Sequence, residues 1–273
     1  MTLASEDFDF FRGYLRERSA IVLEPGKEYL VETRLFPVAR REGLGSVGDL
    51  IERLRREPHG PLHSTVVEAL TTNETSFFRD WKPFEALRAK VVPDAMARRA
   101  ADRRLDIWSA ACSTGQEAYS VAMLLREHFP ALATWDVRIH CTDLSQEMVA
   151  RTRAGRFSQI EVNRGLPAAL LVKHFRQERD EWVIAEELRK RLRVSQMNLA
   201  TGWPPLPQMD VVLMRNVLIY FDVPTRKTIL DKARRLLLGG GALFLGSAET
   251  TLGIHDGFRR EESSGATYFR VAP

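Results

Sequence analysis

Three short stretches of this sequence set polar or charged side chains directly against apolar runs, where burial is costly unless they are paired or put to use. The first, Ala111-Cys112-Ser113-Thr114-Gly115-Gln116-Glu117, follows Leu105-Asp106-Ile107-Trp108-Ser109-Ala110 and precedes a helical pattern. Small residues in such a turn let a backbone come close to a ligand; a tight turn that holds nothing fits the same residues. The second is Asp143, which closes Val137-Arg138-Ile139-His140-Cys141-Thr142. An acid at a strand end accepts hydrogen bonds from ribose hydroxyls in nucleotide-binding sheets. Its other role would be to cap the next helix, although Ser145 is better placed for that. The third is Arg215-Asn216, straight after Asp210-Val211-Val212-Leu213-Met214, with Tyr220 one turn further on. An ordinary loop with a core tyrosine is the alternative there, but arginine and asparagine after an apolar strand favour a functional crevice.

A small-residue turn after one strand and an acid after the next together point to an adenosine-containing cofactor. A dinucleotide would need its pyrophosphate on a helix N-terminus reached through G-x-G-x-x-G. Here Gly115 is the only glycine of the turn, and Glu117 opens the helix. A carboxylate at that place repels pyrophosphate but suits the cationic sulfonium and amine of S-adenosyl-L-methionine. A further polar stretch, Thr71-Thr72-Asn73-Glu74-Thr75-Ser76-Phe77-Phe78-Arg79, reads from composition as a capped helix start, with Phe77 and Phe78 as core.

The elements that must position these residues follow from periodicity. Helical patterns fill the first part of the chain: Ser5 as a cap with Glu6 and Asp7 in the first turn, Phe8, Phe11 and Leu15 on one face, then a helix from Ser46 burying Val47, Leu50, Ile51 and Leu54. Between them lies a basic cluster, Arg34, Arg40 and Arg41, interrupted by Pro37. From Leu105 onward short apolar runs alternate with helical patterns, which predicts βαβ units and a parallel sheet. The helix bearing Ile229, Leu230, Ala233, Leu236 and Leu237 is expected to stop at Gly239-Gly240-Gly241, before a strand Ala242–Leu245. Residues 155–197 break the rhythm, with strands at Trp182–Ile184 and Leu192–Val194, and read as an insertion with a small antiparallel element.

A chain of 273 residues with 44% hydrophobic and 28% charged residues has material for a sizeable core. A net charge of +4 without a basic run argues against nucleic-acid binding. Cys112 and Cys141 are too few for a disulfide framework and lack metal-ligand spacing, so two reduced, buried thiols and no metal are expected. The N-terminal acids Glu6, Asp7 and Asp9 do not resemble a signal peptide, and no apolar run spans a membrane. A cytoplasmic protein is expected.

The segments Thr71–Arg79, Trp108-Ser109-Ala110-Ala111-Cys112-Ser113-Thr114-Gly115-Gln116-Glu117-Ala118-Tyr119-Ser120 and Arg215-Asn216-Val217-Leu218-Ile219-Tyr220-Phe221-Asp222, in this order, resemble the chemotaxis-receptor glutamate methyltransferases, and the likeness covers nearly the whole chain. It implies an α/β, Rossmann-like methyltransferase sheet (residues 76–273) with a small inserted antiparallel β-subdomain (about 155–197), preceded by an all-α receptor-recognition domain (1–75). It implies that Asn73, Thr75, Arg79, Glu117, Asp143, Asn198, Leu199, Arg215 and Asn216 line the S-adenosyl-L-methionine site, with S-adenosyl-L-homocysteine as product. Arg79 and Tyr220 match positions beside the transferred methyl group. Arg34, Arg40 and Arg41 match an arginine-rich helix that meets the acidic, helical cytoplasmic domain of a methyl-accepting receptor; Pro37 departs from the usual pattern there. Some relatives dock their β-subdomain on a receptor's C-terminal pentapeptide through a glycine-containing hairpin loop. The matching stretch here, Arg176-Gln177-Glu178-Arg179-Asp180-Glu181, is shorter and lacks glycine, which predicts no dependence on that tether.

Two other readings stay open at this point. One is a methyltransferase for small molecules or nucleic acid, against which stands the absence of an Asn-Pro-Pro-Tyr-like motif after the central strand. The other is a cofactor-binding module without catalysis.

Overall fold

The computed structural model describes residues 3–272. Contacts divide the chain into two units: the segment up to Thr72 together with Tyr220–Thr225, and Asn73–Ile219 with Arg226 onward.

The first unit contains four helices, α1 (Ser5–Ser19), α2 (Glu28–Arg41), α3 (Val47–Arg56) and α4 (Pro61–Ala69). Phe8, Phe11 and Leu15 are buried on one face of α1, as their spacing requires, and Val47, Leu50, Ile51 and Leu54 on one face of α3. Ser46 caps α3 by accepting the Asp49 N–H at 3.1 Å. Ser5 does not cap α1: it is already helical, after Ala4, although Glu6 and Asp7 do occupy the first turn. Helix α2 continues through Pro37, which is exposed and does not end the helix. Arg34 is half-buried and bonded within the unit. Its guanidinium donates to the carbonyls of Leu70 (2.7 Å) and Thr71 (2.8 Å) and to Thr72 Oγ1 (3.0 Å). Carbonyls past the end of α4 are left without helical partners, and a guanidinium satisfies two of them at once. Arg40 and Arg41 are exposed.

The second unit opens with α5 (Lys82–Ala86) and α6 (Val92–Arg98), joined by a π-turn at Leu87–Val91. There follow β1 (Arg104–Ala110), α7 (Gln116–His128), β2 (Asp136–Asp143) and α8 (Gln146–Ala154). Next come β3 (Arg156–Ser158), α9 (Gln159–Asn163), α10 (Ala168–His174), β4 (Phe175–Glu178), β5 (Glu181–Ile184), α11 (Glu186–Arg189) and β6 (Leu192–Gln196). The chain closes with β7 (Met209–Met214), α12 (Val223–Leu236), β8 (Leu237–Leu245), β9 (Phe258–Ser263) and β10 (Ala266–Val271). The main sheet has the order β6-β2-β1-β7-β8-β10-β9. Its first five strands are parallel, and β10 and β9 are added antiparallel. Parallel strands covered by helices are apolar throughout, and β7 is buried at every residue. From β1 the chain winds to β2 on one side and later to β7 on the other, which places a switch point beside the carboxyl end of β1.

Two expectations need correction. Gly239-Gly240-Gly241 does not stop a helix; α12 ends at Leu236 and the glycines lie inside β8. They serve a bulge, since the β7–β8 register shifts between Met209 and Val211. Gly240 has φ +77°, and a Cβ on Gly241 would come within 3.1 Å of the Asp210 carbonyl. The stretch 155–197 is not wholly an insertion either. Strands β3, β5 and β4 form a separate antiparallel sheet, but β6 joins the main sheet beside β2. The small sheet is closed off at its base by the Ile184 N–H, which donates to the Gly155 carbonyl at 3.0 Å. Its hairpin turns through Arg179-Asp180, Arg179 having φ +55°, and Arg156 neutralises the facing pair Glu178 and Glu181 at 2.8 and 2.7 Å. Among the described residues no helix is long and apolar enough to cross a membrane.

In the helical unit the Tyr14 hydroxyl, buried and 2.7 Å from His63 Nδ1, is pushed by desolvation up to about 12. The folded state therefore keeps this phenol neutral where the unfolded chain ionises it, near pH 10. Its contribution is complete below pH 10 and is lost as pH rises to about 12. Denaturant titrations should show wild type losing about 2 kcal/mol more than Tyr14→Phe across that window; parallel stability–pH curves would refute this.

Candidate active site

The carboxyl ends of four neighbouring strands fall in register. Ala110 of β1 lies opposite Thr142 of β2, Asp143 opposite Gln196 of β6, and Ser109 opposite Leu213 of β7. The loops leaving these ends carry the residues singled out from sequence. After β1, Ala111 (φ +53°), Ser113 (φ +51°) and Gly115 (φ +92°) turn the chain sharply into α7. Left-handed backbone in residues with a Cβ costs about 1–2 kcal/mol each. Strain of this kind persists where the surroundings impose it, and often marks function. At Gly115 a Cβ would stand 2.9 Å from Thr152 Cγ2.

Asp143 is buried. Its Oδ2 accepts the Ser113 N–H at 2.8 Å and its Oδ1 the Ser145 N–H at 2.9 Å. It thus ties the loop after β1 to the loop after β2. The helix cap belongs to Ser145, whose hydroxyl accepts the Met148 N–H at 3.3 Å. Ser113 Oγ in turn donates to the Asn73 carbonyl at 2.6 Å. The segment 71–76 is extended loop rather than the capped helix start its composition suggested. It is held by this bond and by the Phe78 N–H, which donates to Ser120 Oγ at 2.9 Å. Thr75 and Arg79 are half-buried on it, and Arg79 donates back to the Glu74 carbonyl at 3.0 Å.

Arg215, after β7, is the junction. Its Nη1 donates to Glu117 Oε2 at 3.0 Å, and its Nη2 to Asp80 Oδ2 at 2.7 Å and the Arg79 carbonyl at 2.9 Å. Glu117 also accepts the Ser109 hydroxyl at 2.8 Å. Arg215 Nε is buried with no partner among the described residues. Beside it a cavity of about 490 Å³ opens, with Asp80, Lys82, Gly246, Glu249 and Thr267 in its wall.

Asn198 and Leu199 follow β6. The Met197 N–H donates to the Asp143 carbonyl at 2.8 Å, Asn198 Oδ1 accepts the Ala200 N–H at 2.9 Å, and the Leu199 carbonyl accepts Trp203 Nε1–H at 2.9 Å. Trp203 packs edge-on against Trp108 of β1, with ring centroids 4.9 Å apart. Asn73, Thr75, Arg79, Asn198, Leu199, Arg215 and Asn216 thus lie on loops, with Glu117 in the first turn of α7 and Asp143 at the end of β2. Tyr220 ends a 3₁₀ turn, Leu218–Tyr220, and groups with the helical unit, where its carbonyl accepts the Val22 N–H at 2.9 Å. Asp80 and Glu249 were not singled out from sequence. Asp80 directly follows the polar stretch that ends at Arg79, whereas Glu249 is a lone acid past a strand with no local signal.

A sheet of this order, with an acid–guanidinium chain and a strand-end aspartate on its switch-point loops, has the build of an S-adenosylmethionine-dependent methyltransferase. The chain belongs to the CheR methyltransferase family: residues 6–71 match its all-alpha domain and residues 73–266 its SAM binding domain. It is similar to chemotaxis protein methyltransferase Cher2 of Pseudomonas putida, 36% identical over 97% of this chain and 97% of the relative. It is also 36% identical to chemotaxis protein methyltransferase 1 of Pseudomonas aeruginosa, over 99% of this chain and 100% of the relative. The chemotaxis protein methyltransferase of Vibrio parahaemolyticus is 33% identical, with 94% of each chain covered.

Gly115→Ala should lower stability by at least about 1–2 kcal/mol, because the new methyl is strained in φ and pressed on Thr152. Thermal unfolding checks this, and a wild-type midpoint would contradict it.

Proposed function

We propose that this chain transfers the methyl group of S-adenosyl-L-methionine to glutamate side-chain carboxylates of chemotaxis-type receptors, giving glutamyl methyl esters for sensory adaptation and S-adenosyl-L-homocysteine. It would act in the cytoplasm. The observation that carries this reading is the commitment of both site acids. Glu117 is held by Arg215 and Ser109, and Asp143 by the amides of Ser113 and Ser145. Both serve as fixed acceptors rather than as bases. An acceptor that arrives ionised needs no base, and a glutamate side chain, titrating near ~4.3, is ionised at neutral pH.

The residues suit the cofactor. The adjacent Glu117 and Arg215 match an amino-acid head that carries both an ammonium and a carboxylate, and the orphan Arg215 Nε–H is a donor such a carboxylate would satisfy. Asp143, at the end of β2, matches the ribose position of nucleotide-binding sheets. Asn73, Thr75, Asn198, Leu199 and Asn216 complete the wall. When bound, the cofactor supplies an electrophilic methyl on sulfur. The protein's part is to hold that group in line with the incoming carboxylate and to exclude water, since positioning can supply several kcal/mol of the barrier. Arg79 and Tyr220 orient the reacting carboxylate by charge and hydrogen bonding. Strong pairing to a ground-state carboxylate would not help, because the opposite charges collapse as the methyl moves.

The helical unit would be the receptor-recognition domain, residues 1–75 preceding the catalytic part at 76–273. Its surface would use Arg34, Arg40 and Arg41 against an acidic receptor helix, with Arg34 also supporting the end of α4. No nucleic acid or membrane insertion is involved.

Methyl transfer from tritiated cofactor to receptor-containing membranes should give label released as volatile counts by base. Base-stable label would mean N- or C-methylation, and no label a binding module; either would overturn the reading. The tight Arg179-Asp180 turn leads to a further expectation: pull-down with a receptor C-terminal pentapeptide should recover no more of this protein than a scrambled peptide does. Specific, hairpin-dependent recovery would show that a tether is used after all.

A further inference from the structure

The carboxylate of Glu249 accepts four backbone N–H groups. Oε2 takes those of Gly246 at 2.6 Å and Asn216 at 2.8 Å; Oε1 takes those of Val217 at 2.9 Å and Ile219 at 3.3 Å. Three donors belong to the loop that leaves β7, and the fourth directly follows β8. Asn216 is left-handed, with φ +58°. A residue in that conformation turns neighbouring amides toward a common point and forms a concave nest for an anion. Here the anion is a side chain of the protein itself. Glu249 reaches the nest by its own tight turn, its N–H donating to the Gly246 carbonyl at 2.9 Å. Glycine at 246 is what permits the approach: a Cβ there would meet Asn216 Nδ2 and Glu249 Oε2, each at 2.7 Å.

The loop that carries Arg215 and Asn216 is therefore not set by its own sequence. Unfilled, the nest would leave inward-turned amides without partners, each costing more than its bond is worth when made. A carboxylate is the strongest acceptor for them. We infer that Glu249 is a positioning residue for the methyl donor: it locks Asn216 in its left-handed conformation and so fixes the cofactor wall that Arg215 and Asn216 form. The inference rests on the assignment of Asn216 as a cofactor contact, made above.

Calorimetric titration of the full chain with S-adenosyl-L-homocysteine tests it, using Glu249→Gln, Asn216→Ala and the double variant, with folding checked by thermal unfolding. Gln keeps the size but puts an NH₂ against amide donors. Glu249→Gln should weaken binding roughly tenfold. In the Asn216→Ala background the same change should cost less than about twofold, because the two act through one wall. Wild-type affinity of folded Glu249→Gln, or full additivity with Asn216→Ala, would overturn the inference. Should Glu249→Gln not fold, Glu249→Asp, which keeps the charge but is too short to span both loops, should still weaken binding roughly threefold; an unchanged Kd would overturn it as well. Wild-type affinity of Asn216→Ala would instead remove the cofactor assignment of Asn216, and the inference with it.

Discussion

A buried guanidinium must be paired on nearly every side, and Arg215 shows what that requirement can organise. Its side chain is 2% exposed. Taking such a charge out of water costs several kcal/mol, and removing one partner of a buried pair leaves the rest uncompensated, at about 3–5 kcal/mol. The three partners of Arg215 come from two places: Glu117 at the start of α7, and Asp80 and the Arg79 carbonyl on the segment entering α5. Satisfying one cation thereby fixes the end of β7, the start of α7 and the 73–80 segment relative to one another. The left-handed residues Phe78, Asp80, Trp81, Ala111, Ser113 and Asn216 lie on the same loops. Their conformational cost is offset by the bonds they bring within reach.

The other edge of the sheet is also ionic, yet it serves a different purpose. Asp106 and Asp210 sit near the amino ends of β1 and β7, both fully buried. Asp210 accepts the Asp106 N–H at 3.1 Å, and burial pushes its carboxyl up despite Arg98 and Arg99 nearby. For Asp106, burial acts in the same direction, but hydrogen bonds from His140 and Arg104 outweigh it and leave the carboxyl below its usual range. Perturbed acids are often taken as pointers to catalysis. Here they bind neighbouring strands together at the edge away from Asp143 and Arg215, so perturbation alone would have pointed to the opposite end of the sheet.

Much of the fold was legible because its signals are local. Runs such as Val211-Val212-Leu213-Met214 announce buried parallel strands, and Ser145 and Ser46 cap the helices their positions suggest. The loops after these strands stood out in the sequence because polar residues follow those runs directly. What was missed depends on partners distant in sequence. Leu192-Arg193-Val194 alternates as any edge strand does, and nothing in it says whether it joins β5 or β2. Three glycines ordinarily end a helix, and only the register shift against β7 explains them within β8. That Arg34 also holds the carbonyls after α4 is not announced by its own neighbours. Thr71–Arg79 has the composition of a cap, but Ser113, Ser120 and Arg215 draw it into an extended path.

The bond between Ile184 and Gly155 bears on how this family can diversify. The chain leaves the main sheet's framework at Gly155 and comes back to the same spot at Ile184, and between these points Phe157 and Phe175 pack on Phe77 in one shared core. The outer hairpin, turning at Arg179-Asp180 away from that core, can therefore grow or shrink while strand β6 and the loops beyond it stay where they are. Accessory contacts of the enzyme are thereby free to evolve apart from its chemistry.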